Sequence, residues 1–177
     1  MIENAVLKYV FGLVGKQLDP ENGAALFLRR AALIKGVSVA APYSQATPQL
    51  VVDAIKRLPL TVPLVLVGDS CGGNKLAWIA QKVYPRRIAF MGIIQASWWC
   101  QYSWIPPIGD NVEEMLCIYS SWWKTAGFGV YKPRLATNNT RTRPRYIYVN
   151  DLHPGDDDVT GVQNPLLADI ARIVGAA

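Results

Sequence analysis

The chain has 177 residues, 51% hydrophobic and 18% charged, with 18 basic against 13 acidic side chains and a net charge of +5. That balance excludes a disordered chain and allows one domain with a substantial core. No uncharged apolar stretch reaches the roughly 20 residues of a membrane helix. Glu3 ahead of the first apolar segment and Lys8 within it argue against a secretory signal. Cys71, Cys100 and Cys117 are few and odd in number, so a disulfide framework is not expected and reduced thiols in the cytoplasm fit. No repeat or linker divides residues 1–177, which read as a single domain.

The first predicted strand is AVLKYVF at 5–11. Asp19-Pro20-Glu21 then supplies an N-cap residue, a proline and an early acid, opening a helix to about Ile34. A strand at 37–41 follows, and Thr47-Pro48 opens a second helix with Val51, Ile55 and Leu58 as its stripe. VPLVLV at 62–67 is a strand, and Leu76, Ile79, Ala80 and Val83 mark a helix that stops at Pro85. Strands are expected again at 88–94 and 145–149, and a last helix from about Asn164 carries Leu166, Ile170, Ile173 and Val174 on one face.

Residues 110–123 read two ways. Asp110 and Glu113 form a capping pattern ahead of Val112, Met115, Leu116 and Tyr119 at helical spacing, yet 115–120 can equally be a sixth strand. The strands are near-continuous apolar runs, as in sheets buried on both faces. Alternating strands and helices predict a three-layer α/β/α fold with a mostly parallel five- or six-stranded sheet. Ligands gather at the carboxyl ends of such strands.

Gly68-Asp69-Ser70-Cys71-Gly72 stands at one of those ends, between VPLVLV and the third helix. A sharp strand-to-helix turn exposes a serine hydroxyl and aims a helix N-terminus at developing negative charge. The crowding of that turn requires small residues two before and two after the serine, here Gly68 and Gly72. Ser70 is therefore the candidate nucleophile. Its base would be His153, the chain's single histidine, which lies after the serine in chain order and just past the last strand.

With these residues in view, the chain resembles the α/β-hydrolase superfamily over nearly its whole length. Val10-Phe11-Gly12-Leu13-Val14-Gly15 is similar to the family's oxyanion turn, with Phe11 where a histidine is usual. Gly68-Asp69-Ser70-Cys71-Gly72 resembles the nucleophile elbow, and Asp151-Leu152-His153 stands where the family places its histidine. The resemblance implies oxyanion donors at the backbone N–H groups of Leu13 and Cys71, the latter otherwise a small packing residue. It also implies a minimal core without a lid, like small cutinase-sized enzymes.

The family's acid usually follows the strand before the last, where this chain reads MLCIYSSWWKT without a carboxylate. Asp110 is one candidate, within reach of His153 if a helix begins there and at the wrong edge if 115–120 is a strand. Asp156-Asp157-Asp158 is the other, a run that also fits a solvated loop capping the last helix or a hard-cation site without EF-hand spacing; a serine–histidine dyad without an acid is the third alternative.

Trp98, Trp99 and Trp122 are candidates for an apolar substrate pocket, or for filling between sheet and loops. The basic residues from Lys132-Pro133-Arg134 to Arg145 read as a solvated loop, and no nucleic-acid motif accompanies them. The expectation is a serine hydrolase of carboxylic esters or thioesters that needs no metal and no organic cofactor, acting on a small or lipid-like ester. The missing acid and Phe11 also fit a catalytically silent binding or structural module on the same scaffold, as part of a larger assembly.

Overall fold

The computed structural model describes residues 8–14, 23–40, 43–44, 46–96, 106–120, 133–150 and 163–175. In chain order it contains β1 (Lys8–Val14), α1 (Gly23–Ala31), β2 (Val37–Val39), β3 (Tyr43–Ser44), α2 (Pro48–Arg57), β4 (Leu64–Asp69), α3 (Ser70–Lys82), β5 (Ile88–Ile94), β6 (Val112–Tyr119), β7 (Arg143–Tyr148) and α4 (Asn164–Val174).

The strands form one sheet in the order β2-β1-β4-β5-β6-β7, with β3 also pairing with β1, and every strand pair is parallel. β2 and β3 pair with opposite ends of β1, and the strand expected at 37–41 ends at Val39. All six residues of β4 are buried, which explains its unbroken apolar run. Its side chains alternate between two cores. Leu64 and Leu66 join Phe11, Val51, Ile55 and Ile79 on the face covered by α2 and α3. Val65 and Val67 join Phe27, Leu28, Phe90, Leu166 and Ile170 on the face covered by α1 and α4. Each such side chain, fully buried, contributes about 1.5–3 kcal/mol.

The ambiguous segment is a strand. β6 buries Met115, Leu116, Cys117 and Ile118 completely, as a strand in a sheet covered on both faces does. Asn111 fixes its start: the side-chain amide donates to the carbonyls of Ala80 and Arg86, each at 3.0 Å. Nearby, the buried guanidinium of Arg86 donates to the carbonyls of Leu58, Pro59 and Val62 at 2.7–3.0 Å. These bonds tie the amino edge of the sheet to the end of α2.

The basic cluster, expected as a loop, forms β7 in part. Arg143 pairs with Glu114 of β6 at 2.6 Å, and Arg145 pairs with Asp169 of α4. Arg172 of α4 donates to the same Glu114 at 2.6 Å and to Asp169 at 3.4 Å. The Glu114 hydrogen bond holds the Arg172 pKa above its ordinary value. Two carboxylates thus clamp the last helix onto the last two strands. Among the described residues, no helix is long and apolar enough to cross a membrane.

Candidate active site at the carboxyl rim

β4 ends at Asp69 and α3 begins at the next residue, so the chain reverses within one peptide. Ser70 makes that turn with a left-handed backbone, φ 46°, and is 8% exposed. A residue other than glycine held there costs on the order of 1–3 kcal/mol, and such outliers cluster at working sites. The turn brings Gly68 against the helix: a Cβ there would lie 2.8 Å from the carbonyl carbon of Gly72 and 2.8 Å from the nitrogen of Gly73. Both are backbone atoms, so the requirement for a small residue before the serine is met by contact with main chain. Ser70 heads α3, and the positive end of the helix dipole lies at its hydroxyl.

A second left-handed residue lies beside it. Asp69 pairs with Ile94, and one step beyond each strand stand Ser70 and Gln95, the latter with φ 45°. Gln95 is fully buried. Its side-chain Oε1 accepts the N–H of Ser120, at the end of β6, at 2.7 Å, and its own N–H donates to the carbonyl of Ile118 at 2.7 Å. Among the described residues, Gln95 Nε2 and the hydroxyl of the buried Ser120 have no hydrogen-bond partner. One hydrogen bond returns about 0.5–1.5 kcal/mol, whereas each buried orphan group costs about 1–3 kcal/mol. Nothing in the sequence pattern distinguishes Gln95 or Ser120; the backbone angle and the orphan atoms reveal them.

Two expected positions are corrected. Leu13 lies inside β1, paired with Tyr43 on one side and Gly68 on the other, so its N–H faces a neighbouring strand and is not the donor of a turn. β1 runs three residues beyond the end expected for it because β3 extends the sheet on that side. Asp110 precedes β6 at its amino end, level with the start of β4 through the pairs Val112–Ile88 and Ile88–Leu64. In an all-parallel sheet that is the opposite edge from Ser70, on the order of 20 Å away at about 3.3 Å per residue. It cannot orient a base at Ser70.

Cys71 occupies the second position of α3, at the helix end where an oxyanion donor would be, and is buried. It is disulfide-bonded, whereas Cys117 is a buried cysteine outside any disulfide. The expectation of reduced thiols is corrected for Cys71: an odd count of three leaves room for one pair and one buried cysteine. His153, the run Asp156–Asp158, and Trp98, Trp99 and Trp122 lie outside the described residues.

Set against solved structures, the chain covers 97% of its own length and 90% of Est1E from Butyrivibrio proteoclasticus, with a TM-score of 0.61 at 11% identity. Human thioesterase 2 matches with a TM-score of 0.56 at 9% identity, over 95% of this chain and 98% of that one. A lidless a/b serine hydrolase from Xanthomonas campestris matches with a TM-score of 0.52 at 14% identity, over 96% and 83%. The chain has the α/β-hydrolase fold. No family model and no curated protein matches it. Within the α/β-hydrolase fold, the turn at Ser70 stands at the carboxyl end of a central strand, the rim where ligands gather in such sheets.

Proposed function

We propose that this chain is a serine hydrolase of carboxylic esters or thioesters. The observation that carries the reading is the left-handed turn at Ser70, wedged between a fully buried strand and a helix N-terminus. Ser70 Oγ attacks the acyl carbon while His153 takes its proton, and the backbone N–H of Cys71 helps hold the oxyanion. The C–O or C–S bond then breaks, the leaving group takes the proton from His153, and water releases the acyl group by the reverse transfer. Trp98, Trp99 and Trp122 supply an apolar acyl side. The ring of His153 is oriented by the Asp156–Asp158 run, or the pair acts as a dyad. Esterase-type and thioesterase neighbours support this substrate class at the level of fold. The disulfide at Cys71 favours an oxidising compartment over the cytoplasm expected from the sequence.

A second reading, a silent scaffold, draws support from the end of β6, where Tyr119 and Ser120 stand without a carboxylate. A fluorophosphonate probe separates the two. The hydrolase reading expects wild-type labelling that is lost in Ser70→Ala, and p-nitrophenyl ester turnover about 10³-fold slower or worse in His153→Ala. A folded wild-type chain that takes no label leaves the scaffold reading standing.

A further inference from the structure

Among the described residues other than glycine, only Ser70 and Gln95 have a positive φ, and the chemistry above uses only the first. Gln95 is buried, strained and incompletely hydrogen-bonded, and Ser120, its partner, is incomplete as well. Oε1 caps the buried Ser120 N–H, but among the described residues Nε2 has no acceptor, so capping alone does not account for the second donor. A buried polar group without a partner calls for an explanation, and strained residues cluster at working sites. The hydrogen bond from Ser120 N–H fixes the amide: Oε1 is taken, so Nε2 can only donate. Its complement is an oxygen acceptor. The place is set by the register, since Asp69 and Ile94 are paired and adjacent strands lie about 4.8 Å apart.

We infer that Gln95, held by Ser120, is a positioning residue of the Ser70 site, donating from Nε2 to an oxygen acceptor at the carboxyl rim where β5 and β6 end, one strand over from the nucleophile; this rests on the serine-hydrolase reading. The acceptor is either an oxygen held inside the protein, from water or main chain, or an oxygen of the bound ester.

The test measures fluorophosphonate labelling of Ser70 and p-nitrophenyl ester kinetics on the full chain carrying Gln95→Leu, Gln95→Glu or Ser120→Ala, each with a cooperative melt as the folding control. Gln95→Leu is expected to lose about 10–100-fold in kcat/KM. Gln95→Glu still accepts from Ser120 N–H but loses the Nε2 donor, so it should lose at least as much as Gln95→Leu, and recovery would overturn the inference. Equal losses in labelling and turnover, with KM unchanged, assign the acceptor to the protein interior. A raised KM with labelling intact assigns it to the ester. Ser120→Ala keeps the main-chain donor and decides the matter if Gln95→Leu does not fold, with a loss of about 3–10-fold expected. Folded variants within about twofold of wild type on every measure overturn the inference. A wild-type chain that is not labelled overturns the hydrolase reading, and this inference with it.

Discussion

At the scale of single residues, two glycines that both touch helices differ in what a methyl group would meet. At Gly68 it would press on the main chain of Gly72 and Gly73, which cannot yield without unwinding the first turn of α3. At Gly12 it would meet Cγ and both Cδ atoms of Leu28, as close as 2.6 Å, all of them side-chain atoms that a rotamer change moves. Gly68→Ala should therefore be the more damaging change, costing about 1–3 kcal/mol through overpacking. In a chain of this size that lowers Tm by on the order of 5 °C. Because the clash lies under Ser70, probe labelling should fall as well. Gly12→Ala should lower Tm less and leave labelling near wild type. Parallel melts and labelling time courses of the two variants check this, and equal behaviour would show that the turn is softer than its contacts imply.

At the scale of elements, the clamp on α4 invites its own measurement. Glu114 accepts from Arg143 and Arg172 with a side chain only 14% exposed, while both arginines reach into solvent. Charged hydrogen bonds contribute about 1.5–3 kcal/mol when protected, and the exposed partners reduce that. Glu114→Ala should lower unfolding stability by about 1–2 kcal/mol, and added salt should shrink the gap between wild type and variant. A urea midpoint at low and high salt reads both. That clamp was not legible beforehand, because its members come from β6, β7 and α4 and no local pattern links them. The helices were more legible: Thr47-Pro48 marks the start of α2, and the stripe through Leu166 and Ile170 matches the buried face of α4. β6 was not, since Val112, Met115, Leu116 and Tyr119 satisfy helical spacing and buried-strand spacing alike. Asp110 fell with that ambiguity. The strand-to-helix turn at Ser70 was legible because its surroundings are contiguous in sequence, whereas Gln95 and Ser120 meet only across neighbouring strands.

At the scale of the whole molecule, the cysteines provide a chemical test of the fold. Denatured without reductant, the chain should take up an alkylating reagent at Cys117 and not at Cys71; after reduction Cys71 should react too. Peptide mass mapping reads the outcome, and modification of unreduced Cys71 would remove the case for an oxidising compartment. A different consequence follows from β7. It is the last strand in the sheet order, with Arg143, Pro144 and Arg145 exposed along it. Unsheltered borders of this kind invite neighbouring molecules to zip on and begin a fibre. Here proline removes one rung of the ladder, and a second molecule approaching edge to edge would bring guanidinium against guanidinium. The same arginines that hold the last helix also discourage the molecule from stacking upon itself.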